Sequence, residues 1–137
     1  FNFEVIKKEI GNYFKIYNGM DQMAVSGLIS GADGLIGSFY NLMPEIFVKI
    51  FENIKKGNIA EAKKLQTKAN VIILYAVKKS GYSFIKMGLN WMGIDSGYVR
   101  KPFTSFVDKE IEKEIKKELK VLCSEYDLSG IKFLETL

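Results

Sequence analysis

Two short stretches of this sequence concentrate the side chains that could do chemistry. The first holds Asn18, Gly19, Asp21 and Gln22; the second holds Ser38, Tyr40 and Asn41. Together they offer a carboxylate, amides, hydroxyls and the bare backbone of a glycine. That set suits a hydroxyl-rich ligand such as a sugar, because each ligand hydroxyl both donates and accepts hydrogen bonds. It shows no activated nucleophile and no tuned acid–base pair, so it predicts binding rather than catalysis. Each residue also has a plainer role open to it. Asp21 fits the cap of a following helix equally well. Gly19 fits a turn with positive φ. Gln22 fits a solvated first turn, and Ser38 fits the satisfaction of backbone groups at a strand end. Gly34 and Gly37 lack the G-x-G-x-x-G order of a phosphate loop.

These stretches need elements to hold them. Phe3, Ile6 and Ile10 recur with helical period, with Asn2 to cap the start and Gly11 to end the helix. Phe14 to Tyr17 reads as a short strand, and Leu35 to Ser38 as a second. Between them Asp21 opens a helix carrying Met23, Leu28 and Ile29, ended by Gly31. Strands each followed closely by a helix imply a parallel pair with right-handed crossovers. From Pro44 onward the pattern turns helical. Ile46, Phe47, Ile50, Phe51 and Ile54 share one face. Asn58 caps a helix to about Lys79, with Ala62, Leu65, Ala69, Ile72, Ile73 and Ala76 inward. Ser83 opens a shorter helix to Met92, and Asp108 caps a charged helix to about Leu122. Trp91, Met87 and Met92 read as packing residues. Two strands make a poor parallel sheet, so the chain reads as the end of a larger α/β protein.

Composition narrows the chemistry. The chain has 137 residues, 47% of them hydrophobic and 26% charged, as expected of one folded domain. It has no histidine, which excludes Ser-His-Asp and Cys-His catalysis and histidine metal sites. A single cysteine, Cys123, excludes an internal disulfide and a thiolate metal cluster and fits a cytoplasmic setting. A net charge of +4 is too mild to predict nucleic-acid binding. The longest apolar run, Val71 to Val77, is far short of the ~20 residues a membrane helix needs.

The segment Tyr17-Asn-Gly-Met-Asp-Gln22, followed by Gly31-Ala-Asp-Gly-Leu-Ile-Gly-Ser-Phe-Tyr-Asn41, resembles the dihydrodipicolinate synthase/N-acetylneuraminate lyase family of class I aldolases. Gly57-Asn-Ile-Ala-Glu-Ala-Lys-Lys-Leu-Gln66 and Arg100-Lys-Pro-Phe103 extend the resemblance, and the two strand-end motifs favour its sialic acid lyase branch. The resemblance implies a TIM (β/α)8 barrel with extra C-terminal helices. Residues 1–43 would then supply the last two strands, the seventh and eighth, with their helices. Residues 44–137 would be the last barrel helix and the helical extension. A complete barrel of this kind needs ~250 residues, so the rest of the barrel is expected upstream of Phe1.

The implied activity is the reversible cleavage of N-acetylneuraminate to N-acetylmannosamine and pyruvate. In the family a lysine on the sixth strand forms a Schiff base and a tyrosine on the fifth shuttles the proton. Neither has a counterpart here, so no catalytic residue is expected in this chain, and the chain alone is expected to be inactive. Gly19, Asp21 and Ser38 match family positions that contact the polyol part of the substrate. Gln22 stands where the family usually carries Glu; it keeps an acceptor, adds donors and loses the charge. No metal or organic cofactor is implied, because the lysine supplies the electron sink. The family further implies a cytoplasmic homotetramer, with no nucleic acid or membrane partner. Two other readings stand beside this one: an aldolase for a different 2-keto sugar acid, and a non-catalytic sugar-binding module.

Overall fold

A computed structural model describes residues 2–11, 13–105 and 108–137. Its order is helix, strand, helix, strand, then helices. α1 (Asn2–Ile10) ends where Gly11 takes a φ of +59°. The apolar face expected of α1 finds no core: none of its residues is buried, and Ile6 is exposed. β1 (Tyr17–Asn18) pairs in parallel with β2 (Gly34–Leu35), Tyr17 opposite Gly34 and Asn18 opposite Leu35. Two bonds extend the ladder, Asp33 N–H to the Ile16 carbonyl at 2.7 Å and Ile36 N–H to the Asn18 carbonyl at 3.0 Å.

Both strands are shorter than the spacing predicts, and shifted. Phe14 to Ile16 lie before β1, and Ile36 to Ser38 lie after β2. The physical reason is pairing: each strand has one neighbour, and a ladder of two strands ends where that neighbour turns away. Tyr13, Phe14, Tyr17 and Ile36 are accordingly all more than half exposed.

Between the strands, a 3-10 turn (Asp21–Met23) leads into α2 (Ala24–Ile29). Leu28 is buried as expected, but Met23 and Ile29 are about half exposed. Ala24, Val25 and Gly27 are the other buried residues of α2. Gly27 lies so close to β1 that a β-carbon there would fall 2.5 Å from the Asn18 side chain.

The helical half holds most of the core. α3 (Pro44–Lys55) starts on proline, whose missing N–H costs nothing in a first turn. It buries Ile46, Phe47 and Ile50, with Phe51 and Ile54 packed at the margin. Gly57, at a φ of +77°, turns the chain into α4 (Ile59–Lys78). Every residue expected inward on α4 is buried, and Gln66 is buried with them. α5 (Gly81–Trp91) begins slightly earlier than Ser83 and buries Phe84, Ile85 and Met87. The Asp108 carboxylate accepts from Glu110 N–H and starts α6 (Lys109–Glu125), which buries Ile115 and Leu119. Tyr75 of α4 donates its hydroxyl to Glu118 of α6, and Lys79 reaches the same carboxylate at 3.0 Å. The tail closes the core with Leu128, Ile131 and Phe133, the last in a 3-10 turn (Lys132–Thr136). Among the described residues, no helix is long and apolar enough to cross a membrane.

Candidate functional site

The loops leaving β1 and β2 run side by side and form one wall of a cavity of about 540 Å³. Gly19, Asp21 and Gln22 come from the first loop, and Ser38 and Phe39 from the second. The opposite wall is Val77 of α4, Ser80 between the helices, Gly81 and Tyr82 of α5, and Phe103 of the following loop. Parallel strands leave their last carbonyls and N–H groups at one end, so side chains just beyond them converge.

Asp21 is only 5% exposed, and its carboxylate turns toward the second loop rather than to its own helix. One oxygen, Oδ2, accepts from Phe39 N–H at 2.9 Å. The other, Oδ1, is buried with no hydrogen-bond partner among the described residues and lies against Gly37, where a β-carbon would stand 1.5 Å away. Burial raises the pKa of Asp21, with the Phe39 N–H pulling the other way. The 3-10 turn it opens has no side-chain cap. Asp21 therefore braces one strand end against the other, and the absence of a side chain at Gly37 makes room for it.

Gln22 and Ser38 are half-buried and Gly19 is exposed, all bordering the cavity. The remaining polar residues of the two stretches do local work. Asn18 is buried and donates to the Met20 carbonyl at 2.8 Å. Asn41 donates to the Ser38 carbonyl at 3.1 Å. Tyr40 packs its ring on Phe47, 4.2 Å between centroids, and borders a different hollow, with Tyr17 and Leu35. Burial, and then the charge of Asp21, push the Tyr40 hydroxyl pKa up.

Two sets of residues escape a reading of the strand ends alone. Tyr82 and Phe103 meet edge to face, 5.0 Å between centroids, and line the same cavity as Gln22. Nothing in their spacing announces this, because they come from separate segments of the helical half. Gln66 and Asn70 stand behind the first loop and hold its backbone. Here a signal existed: Gln66 is a polar residue on the inward face of an apolar helix, where an unpaired amide is costly. Among the described residues, no lysine lines the cavity and no group of three or more acidic or cysteine side chains is placed to hold a metal ion. With an amide, a hydroxyl, an exposed glycine backbone and two aromatic faces, the arrangement can hold a polyhydroxylated ligand.

Comparison with known proteins places the chain in a family. Residues 2–122 match the dihydrodipicolinate synthetase family. The chain is 37% identical over 112 residues to an N-acetylneuraminate lyase of Mediterraneibacter gnavus, covering 80% of this chain and 36% of that protein. It is 38% identical over 98 residues to N-acetylneuraminate lyase 2 of Escherichia coli, covering 71% of this chain and 32% of the relative. Among solved structures, the wild-type sialic acid aldolase of Ruminococcus gnavus superposes with a TM-score of 0.77 at 34% identity, over 90% of this chain and 42% of that one. CdNal of Clostridium difficile, solved in complex with mannosamine, gives a TM-score of 0.76 at 32% identity, over 85% of this chain and 40% of that one. The chain thus spans about a third of the length of the curated relatives it matches. With the match running through nearly all of it, the chain belongs to the dihydrodipicolinate synthetase family.

Proposed function

We propose that this chain is the C-terminal part of a Schiff-base-forming aldolase that cleaves N-acetylneuraminate to N-acetylmannosamine and pyruvate. In this reading residues 1–43 are the last two βα units of a TIM barrel. Residues 44–137 are its last helix and a helical extension. The observation that carries the reading is the convergence of Gly19, Asp21, Gln22 and Ser38 on one cavity at the strand ends. These four are the proposed substrate-binding residues. Gln22 and Ser38 offer donors and acceptors to the sugar hydroxyls, Gly19 offers close backbone approach, and Asp21 keeps the two loops at a fixed separation. The Schiff-base lysine and the proton-shuttling tyrosine belong to the preceding part of the barrel, and the working unit is a cytoplasmic homotetramer.

Gln22 favours a second reading within the same chemistry, an aldolase for another 2-keto sugar acid. A neutral amide at this position recognises hydroxyls without the charge a glutamate would bring.

The test uses the protein as its gene encodes it. Incubated with N-acetylneuraminate it should release pyruvate, and borohydride added with pyruvate should trap a covalent adduct on a lysine outside this chain. Turnover of 2-keto-3-deoxy sugar acids in preference to N-acetylneuraminate would move the assignment to the second reading. Absence of both turnover and adduct would overturn the aldolase reading altogether.

A further inference from the structure

α4 belongs to the helical half, yet it reaches across to the loop after β1 through two side chains one helical turn apart. Gln66 is 8% exposed. Its Oε1 accepts from Val25 N–H at 3.1 Å, and its Nε2 donates to the Asp21 carbonyl at 3.0 Å and to Asn70 Oδ1 at 2.9 Å. Asn70 in turn donates from Nδ2 to the Gln22 carbonyl at 3.2 Å. Both donor hydrogens of the Gln66 amide and its acceptor oxygen are therefore engaged.

The geometry has two consequences for the loop. First, α2 starts with no side-chain cap of its own, since Met23 occupies its N-cap position. Val25 is the second residue of that helix, and its N–H is one that a capping side chain normally takes. Gln66 supplies that acceptor from a distant part of the sequence. Second, the carbonyls of Asp21 and Gln22 belong to the two peptide groups on either side of the Gln22 α-carbon. One is tied to Gln66 and the other to Asn70. Fixing both peptide planes fixes the backbone dihedrals of Gln22, and with them the direction in which its side chain leaves the chain.

We infer that Gln66 and Asn70 are positioning residues for the sugar-acid site: they set the bearing of Gln22 from the helix behind the loop. The inference rests on the proposed aldolase reading for the identity of the ligand. They touch no part of the cavity, and their effect passes through the backbone of residues 21–25. The structure thus makes α4 part of the specificity apparatus, although none of the strand-end motifs includes it.

The experiment compares Gln66→Glu and Asn70→Asp with the unaltered protein as its gene encodes it. Gln66→Glu keeps an acceptor for Val25 N–H and removes the donors to the Asp21 carbonyl and to Asn70 Oδ1. Asn70→Asp keeps an acceptor for Gln66 and removes the donor to the Gln22 carbonyl. Each should raise KM for the sugar acid roughly three- to ten-fold, the worth of about one hydrogen bond. The KM for pyruvate in the condensation direction should stay put, and kcat should change little. A structural role alone would lower the amount of folded protein and leave both KM values unchanged, and that result overturns the inference. An equal rise in both KM values overturns it as well. If the unaltered protein shows neither sugar-acid turnover nor a borohydride-trapped adduct, the aldolase reading fails by itself. Amide hydrogen exchange then decides the positioning: faster exchange confined to residues 21–25 in both variants sustains it, and unchanged exchange there refutes it.

Discussion

Asp21 and Gly37 show how one missing β-carbon shapes the site. The Oδ1 atom of Asp21 occupies the space a side chain at position 37 would fill. Gly37→Ala must push the carboxylate away or displace the second loop. We expect a loss of about 1–3 kcal/mol in unfolding free energy, the usual cost of forced overpacking, together with weaker sugar-acid binding. Denaturant titration and calorimetry on the same sample check both. Substitution at Gly19, where a β-carbon meets nothing within 4 Å, should leave unfolding unaffected, so the pair separates crowding from a general effect of losing glycine.

At the scale of elements, α1 buries none of its residues and is held instead by charge. Lys7 Nζ lies 2.6 Å from Asp33 Oδ2, and the same oxygen accepts from Ile16 N–H at 2.7 Å. The hydrogen bond from Lys7, then that from Ile16, hold the Asp33 carboxyl at a pKa of about 2. Lys15, at 3.6 Å from the other oxygen, adds to the shift. A depressed pKa means that the unfolded chain takes up the proton first. The stabilisation from Asp33 is therefore complete above the ordinary carboxylate value of 3.8 and disappears as pH falls from there through about 2. Asp127, paired with Lys68, loses its contribution over the same window. Asp33→Asn should remove only the Asp33 part of this acid sensitivity. Subtracting the pH profiles of unfolding for variant and parent isolates it, and identical slopes below pH 4 would count against the pairing.

The two-stranded sheet is legible in the sequence as a topology but not as a register. Alternating aromatic and β-branched residues mark a strand, whereas its length depends on which neighbour is present to pair. The sequence marks α3 and α4 nearly to the residue, because an apolar stripe of helical period is written locally and buries the same face wherever the helix docks. α1 carries such a stripe and stays uncovered, so periodicity alone does not say what an element packs against.

For the whole molecule, the apolar groups around the sheet are the main physical fact. Phe14, Tyr17, Met20 and Ile36 are more than half exposed, and a hollow of about 620 Å³ lies between Tyr17, Leu35, Phe47 and Phe51. Exposed apolar area of this kind is usually an interface. On the proposed function, the preceding part of the barrel covers it. The isolated 137-residue chain should then bind an apolar dye, self-associate with rising concentration and release no pyruvate from N-acetylneuraminate. Fluorescence, sedimentation and a coupled pyruvate assay check the three points. Pyruvate release by the isolated chain would contradict the proposed assignment of the lysine and tyrosine to a preceding part of the barrel.

Local residue patterns specify the helical half, the parallel sense of the two strands and the polar inventory at their ends. These are encoded over short distances, in periodicity, capping residues and glycines. The family motifs also lie within continuous stretches of chain. Three relations come from packing: Asp21 braces Phe39 and Gly37, Tyr82 and Phe103 line the cavity with Gln22, and Gln66 and Asn70 hold the loop from behind. Each of those relations joins groups far apart in sequence. A buried polar atom takes the partner that packing brings within hydrogen-bond reach, and no local pattern of residue types names that partner in advance.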